Sequence, residues 1–190
     1  MELSGDLKTH MANVAAERNR RQKEALRLYR PMEKQAVFHN SSASERIVRG
    51  GNRSGKSMSA FAETASAATG IPITGPNGAP LPSKYPTDRP LLIWVIGYDQ
   101  RHIGGTVYRM LFNPGAFRII KDLKTEEWRV WRPWEKEDQD REDECKDAPP
   151  LIPKRLINPQ GWAWENKSER VFTVCRLRNG TEIHAFSSKA

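Results

Sequence analysis

Residues 50–57 read Gly-Gly-Asn-Arg-Ser-Gly-Lys-Ser. They fit the phosphate-binding loop pattern G-x-x-x-x-G-K-[ST] at every fixed position. No other feature narrows the fold so far, because this loop works only with a strand before it and a helix after it. Gly50, Gly51 and Gly55 let the backbone turn tightly, so that successive N–H groups, those of Asn52, Arg53 and Ser54 included, converge on phosphate oxygens. Lys56 supplies a positive charge for the β- and γ-phosphates, and Ser57 supplies a hydroxyl for Mg²⁺. The flanks agree with the motif. Glu45 to Arg49 reads as a short strand. Ser57 to Thr69 is alanine-rich, with Met58, Phe61, Ala62, Ala65 and Ala68 at helical spacing. Gly70 and Pro72 then stop the helix.

A chain of 190 residues is long enough for one domain with a sizeable core. It has no apolar run that would span a bilayer and no secretory signal, so a cytoplasmic protein without a membrane partner is expected. Cys145 and Cys175 lie outside any metal-ligand spacing and read as reduced thiols. The four histidines are scattered; His39 and His102 could line a site, but isolated histidines are more often surface or core residues. The net charge of +8 points to a polyanionic partner, of which nucleic acid is the commonest. Arg18, Arg20, Arg21, Lys23, Arg27 and Arg30 crowd the N-terminal stretch, which reads equally as a solvated charged helix or a DNA-contacting one.

Residues 1–10 are expected to be disordered and 11–28 helical. Pro31 then opens a further helix with Gln35 on its first turns. A glutamine amide offers both a donor and an acceptor, which matches the adenine edge, and Tyr29 is placed to stack on the base. Residues 70–90 form a long connection loaded with Pro and Gly. Leu91 to Gly97 is a continuous apolar run, read as a strand buried on both faces, and 101–112 follows as a helix. The resulting βαβα series predicts an α/β fold with a parallel sheet and right-handed crossovers. Residues 113–168 read as an insertion. In it Trp128, Trp131 and Trp134 could stack bases but read rather as packing a small insertion onto the core, and 135–147 is a charged, solvated or disordered run. Trp162 and Trp164 alternate and share one face of a strand. Residues 171–177 and 181–186 form a hairpin, with Asn179-Gly180 supplying the positive φ angles of its turn.

A P-loop ATPase also needs an acidic residue at the end of another strand to hold Mg²⁺, and a neighbouring glutamate to orient water. After Lys56 no apolar run of four leads directly into Asp or Glu; Asp99 is set off from Leu91–Ile96 by Gly97 and Tyr98. Asp122 follows too short a run, and Asp143-Glu144 sits among charges. The missing acids are expected on strands beyond Ala190, so the chain reads as a partial core that is incomplete at its C-terminus. This gives a division into 1–44, a helical N-terminal extension with the adenine-recognition segment, and 45–190, a partial P-loop NTPase core of the RecA-like type.

Three stretches together resemble the large terminase subunit of tailed bacteriophages. They are Tyr29-x-Pro31-x-x-x-Gln35-x-x-Phe38-His39, then Arg46-x-Val48-x followed by the loop 50–57, then Ile93 to Asp99. The resemblance covers about residues 25–112. It implies the ATP- and Mg²⁺-binding motor that drives double-stranded DNA into procapsids. The implied partners are a small terminase subunit and the portal, with a ring oligomer of the full-length protein and a nuclease domain after the motor. Carried over by position, Gln35 reads adenine, Lys56 and Ser57 hold phosphate and Mg²⁺, and Arg53 senses the γ-phosphate. Lys56 and Arg53 are then the catalytic candidates. Two alternatives stand beside this reading: another nucleic-acid-dependent ATPase such as a helicase, and a non-catalytic DNA-binding or assembly module that keeps the loop as a relic.

Overall fold

The computed structural model describes residues 5–22, 24–51 and 54–189. The N-terminal region holds α1 (Gly5–Gln22), α2 (Ala25–Leu28) and α3 (Glu33–Asn40). The loop leads into α4 (Lys56–Thr69), which ends on Gly70 in the left-handed conformation. After the Pro/Gly connection come β1 (Leu92–Gly97) and α5, a continuous helical stretch over 100–112. Its middle turns, Ile103–Tyr108, are π-helical. There Gly104 lets the backbone carbonyl of Glu169 approach to a distance that no Cβ would permit. β2 (Arg118–Lys121), β3 (Trp128–Val130) and β4 (Lys146–Asp147) form a small antiparallel sheet in the order β3-β2-β4. β5 (Ile157–Asn166), β6 (Val171–Leu177) and β7 (Glu182–Ser187) complete the main sheet, whose order is β1-β7-β6-β5.

The architecture is α/β, but the main sheet is mixed. Only β1 and β7 run parallel, in register from Leu92↔Glu182 to Gly97↔Ser187. β5, β6 and β7 are an antiparallel meander. The core lies between one face of this sheet and helices α2, α4 and α5. The buried stripe of α4 is made of Phe61, Ala62, Ala65 and Ala68; its small side chains let the helix sit close to its neighbours. Phe172, Ile183 and Cys175 are the sheet's most buried contributions. Trp162 and Trp164 stack at 4.7 Å on the same side of β5 and pack with Tyr108 and Phe112, as their alternation predicts.

Several expectations are corrected. Residues 45–50 form no strand. Ile47 is 84% exposed, and Arg46 is drawn sideways onto the Phe38 carbonyl, Glu63 and Tyr85. The segment has strand-like residues but no ladder partner, and a strand exists only by pairing. β1 is not buried on both faces. Ile93 and Val95 face the core, whereas Leu92, Trp94 and Ile96 are about two-thirds exposed. Residues 5–10, expected to be disordered, belong to α1.

The acidic run 135–147 is ordered, and Asp138 is its buried centre. It takes a bidentate pair of hydrogen bonds from Arg129, each 2.6 Å, and one from the Arg132 N–H. These donors hold the Asp138 carboxyl below its ordinary value, and the same pair raises Arg129. Trp128 packs on Leu28, Ile119 and Ala148, and Trp131 donates to the Asp138 carbonyl, while Trp134 stays exposed. In the hairpin turn only Gly180 has positive φ. The Leu177 N–H donates to the Thr181 carbonyl and the Gly180 N–H to the Leu177 carbonyl, which makes a three-residue loop with a left-handed glycine.

Candidate phosphate-binding site

Gly55 stands at the N-cap of α4 with φ +78°, the left-handed region that favours glycine. The first intrahelical bond runs from the Ser59 N–H to the Gly55 carbonyl at 3.0 Å. The N–H groups of Lys56, Ser57 and Met58 therefore open the helix with no acceptor inside it. That end carries the positive pole of a 14-residue helix. A cavity of about 260 Å³ lies against it, walled by Gly50, Gly51, Ser54, Lys56, Val48 and Arg49 from the loop side and by Lys34, Gln35 and Phe38 from α3. Among the described residues, three cations line it: Lys34, Arg49 and Lys56. Among the described residues that line it there is no carboxylate. Cations, open N–H groups and no acid make a cradle for an anion.

Lys56 closes its own loop. Its ammonium donates to the Gly50 carbonyl at 2.7 Å, to the Gly51 carbonyl at 2.6 Å and to the Ser54 hydroxyl at 3.3 Å. These use all three of its N–H bonds. These bonds make the lysine a clamp on its own loop, and an anion entering the cavity would compete with the two carbonyls for its ammonium.

Gln35 is brought to the cradle, but its amide is already committed. Its side-chain NH₂ donates to the Gly55 carbonyl at 3.2 Å, and its oxygen accepts from the Met32 N–H at 2.8 Å. It is buried between α3 and the loop. The glutamine thus ties the start of α3 to the turn that aims the helix end. Tyr29 does not line the cradle. It is 4% exposed, its hydroxyl meets His39 Nε2 at 3.2 Å, and its ring packs edge-on against His39 and tilted against Phe117. Burial pushes its phenol up to about 12. The base-stacking role expected of Tyr29 is corrected to a core role, because no face of the ring is left for a base. Ser57 is exposed on the first turn of α4. Asn52 and Arg53 lie outside the described residues, and so does any γ-phosphate sensing by Arg53.

The residues that the sequence left unassigned are Lys34, Phe38, Arg49 and Ser59. Lys34 and Phe38 sit one residue before and three after Gln35 on the same short helix, a spacing legible only once that helix is known to face the loop. Ser59 is buried one turn into α4, its hydroxyl on the Gly55 carbonyl at 3.2 Å.

Behind the cradle, Glu63 on α4 is a buried carboxylate with partners from three other segments. It meets His39 Nδ1 at 2.8 Å, the Tyr85 hydroxyl at 2.7 Å, Lys84 at 3.2 Å and Arg46 at 3.3 Å. Burial alone would raise its carboxyl. The hydrogen bonds from His39 and Tyr85 and the Lys84 ammonium outweigh that and hold it down at about 2. His39 is thereby a core residue. His102 lies outside the cradle, its ring nitrogen accepting from the Tyr98 N–H.

Mg²⁺ fits this arrangement only in part. The Ser57 hydroxyl is a suitable ligand, but among the described residues no group of three His, Cys, Asp or Glu side chains could hold a metal. Asp99 caps α5 by accepting from the His102 N–H at 2.8 Å. Asp122 accepts from the Thr125 and Lys124 N–H groups and from Arg129, which hold its carboxyl at about 2. Both carboxylates already have structural work.

The basic N-terminal stretch is partly paired. Arg20 and Arg27 meet Glu17 at 3.4 and 3.3 Å, and Arg18 lies 4.0 Å from Glu127. Among the described residues no helix is long and apolar enough to cross a membrane. No family model, curated protein or solved structure matches the chain.

Proposed function

We propose that this chain is the nucleotide-binding part of a P-loop ATPase, and specifically of a terminase-like motor that moves double-stranded DNA. One observation carries the reading: Lys56 and the open end of α4 share with Gln35 a cavity that has no carboxylate among its described lining residues, and Gln35 is hydrogen-bonded to the loop itself. The loop pattern gives the chemistry, a phosphate chain on backbone N–H groups with a lysine at the β- and γ-positions. The aromatic-Pro-Gln segment and the strand 92–97 supply the likeness to terminases. In this reading ATP is the ligand, Ser57 would hold Mg²⁺, and Arg49 and Lys34 add to the field that draws the triphosphate in. Mg²⁺ would neutralise the phosphates when bound. The small terminase subunit, the portal and a ring of full-length subunits remain partners by resemblance.

The same geometry favours binding over turnover within these residues. Phosphoryl transfer needs a fixed metal and a positioned water. Asp99 and Asp122 are committed elsewhere. A module that binds nucleotide without hydrolysing it is therefore the second reading.

Titration calorimetry with Mg-ATP tests the proposal. Wild type is expected to bind, and Lys56→Ala to lose about ten- to a hundredfold in affinity, the worth of one charge-assisted contact. Circular dichroism checks that the variant keeps its fold. Unchanged affinity in a folded Lys56→Ala protein removes the assignment. Phosphate release with Lys56→Ala as the blank separates the two readings.

A further inference from the structure

β1 ends the main sheet, and its sequence Leu-Ile-Trp-Val-Ile-Gly contains no charge and no proline. Edge strands of stable monomers normally carry such blocking residues. Its outer side chains Leu92, Trp94 and Ile96 are 62, 65 and 66% exposed. Tyr98, just past the strand, and Phe186 of β7 extend the patch, being 61 and 44% exposed. Trp94 and Phe186 already meet edge to face at 5.7 Å. With about 150–250 Å² per aromatic side chain, these five residues present on the order of 600 Å² of apolar surface. That is the upper end of what a monomer shows, about 300–600 Å². With its rim it approaches the roughly 800 Å² that each partner gives to a standard interface.

We infer that this face is a self-association surface, and that its occupant is a second copy of the chain packed through the same face across a two-fold axis. A nucleic acid fits it less well. Leu92 and Ile96 offer no stacking plane, β1 itself brings no cation, Arg176 and His184 beside it on β6 and β7 are both bonded to Glu182, and one edge of the Trp94–Phe186 pair is already used. The rim is polar. Glu182, held by Arg176 and His184, borders the patch at the start of β7, and Lys189 sits over the Tyr98 ring at the other end. A two-fold axis through the Trp94 row sets the Leu92 end of one copy against the Tyr98 end of the other, apolar on apolar. An apolar centre inside a polar rim is the ordinary anatomy of an interface. Two chains of +8 each repel at long range, so the contact must be apolar and must tighten as salt screens that repulsion.

Sedimentation velocity of the full chain across the micromolar range, at low and at high salt, is the test. The mass is expected to rise from 21.7 kDa toward twice that value with concentration, more readily at high salt. Trp94→Ser and Ile96→Ser, both on the exposed face, are expected to raise the dissociation constant at least about tenfold, as loss of a central anchor does. Circular dichroism must match wild type for each. A wild type that stays monomeric throughout, folded variants that associate as wild type does, or association that needs an added oligonucleotide or vanishes at high salt would each overturn the inference.

Discussion

At residue scale the cradle turns on one close approach. A Cβ built on Gly55 would stand 2.2 Å from the Gln35 side-chain nitrogen. Gly55→Ala therefore strains a left-handed backbone, at about 1–2 kcal/mol, and expels Gln35 as well. Its melting temperature and its ATP affinity should fall together. Gln35→Ala removes one hydrogen bond to the loop, at Gly55, and one to the start of α3, at Met32. Its expected cost, about tenfold in affinity from contacts of about 1 kcal/mol, should fall equally on ATP and GTP in parallel titrations. A base-reading glutamine would instead narrow the preference for ATP; that outcome would show that the amide leaves Gly55 when nucleotide binds.

At the scale of elements, α4 does two jobs. Its first turn faces the cradle, and two turns later Glu63 gathers α3, the pre-loop segment and the Pro/Gly connection. Its carboxyl is lowered from 4.5 to about 2. A lowered carboxyl stabilises the fold above its unfolded value, and that stability is lost as pH falls from about 4.5 toward about 2. Urea denaturation at neutral pH and near pH 3 should show this loss in wild type. Glu63→Gln should lose about 3 kcal/mol at neutral pH, as breaking a buried ion network does, and should show a flatter acid limb. An equal acid response in the two proteins would assign the acid sensitivity to other carboxylates.

Local pattern alone was enough to read β1, α4, α5 and the β6–β7 hairpin, because periodicity and a glycine stop are written into consecutive residues. What depends on partners was not legible. Residues 45–49 look like a strand yet find no ladder. Asp138 looks like one charge in a solvated run yet is buried by Arg129. The need for Gly55 is set by Gln35, twenty residues away. Tyr29 reads as a site residue because an aromatic before a P-loop suggests stacking, whereas its hydrogen bond to His39 belongs to the core.

At the scale of the whole molecule the cradle and the tryptophans are apart. No tryptophan lines the cavity, while Trp94, Trp162 and Trp164 lie in the main sheet and Trp128 lies in the small sheet. The parts are nevertheless joined. Phe61, Ala62 and Ala65 of α4 share one core with Phe172 and Ile183 of the sheet. A chain with one shared core unfolds as one unit, so a ligand at the cradle must stabilise the sheet as well. Mass action sets the size: a ligand at a hundred times its dissociation constant adds about 2.7 kcal/mol. For a chain of this length each kcal/mol is worth roughly 2–4 °C. Mg-ATP near saturation should therefore raise the tryptophan-reported melting temperature by roughly 5–10 °C, and Lys56→Ala should abolish the shift. If calorimetry shows binding while the tryptophan transition stays in place, the loop, α3 and the start of α4 open separately from the sheet. The clamp of Gln35 on Gly55 would then be the boundary at which cooperativity ends.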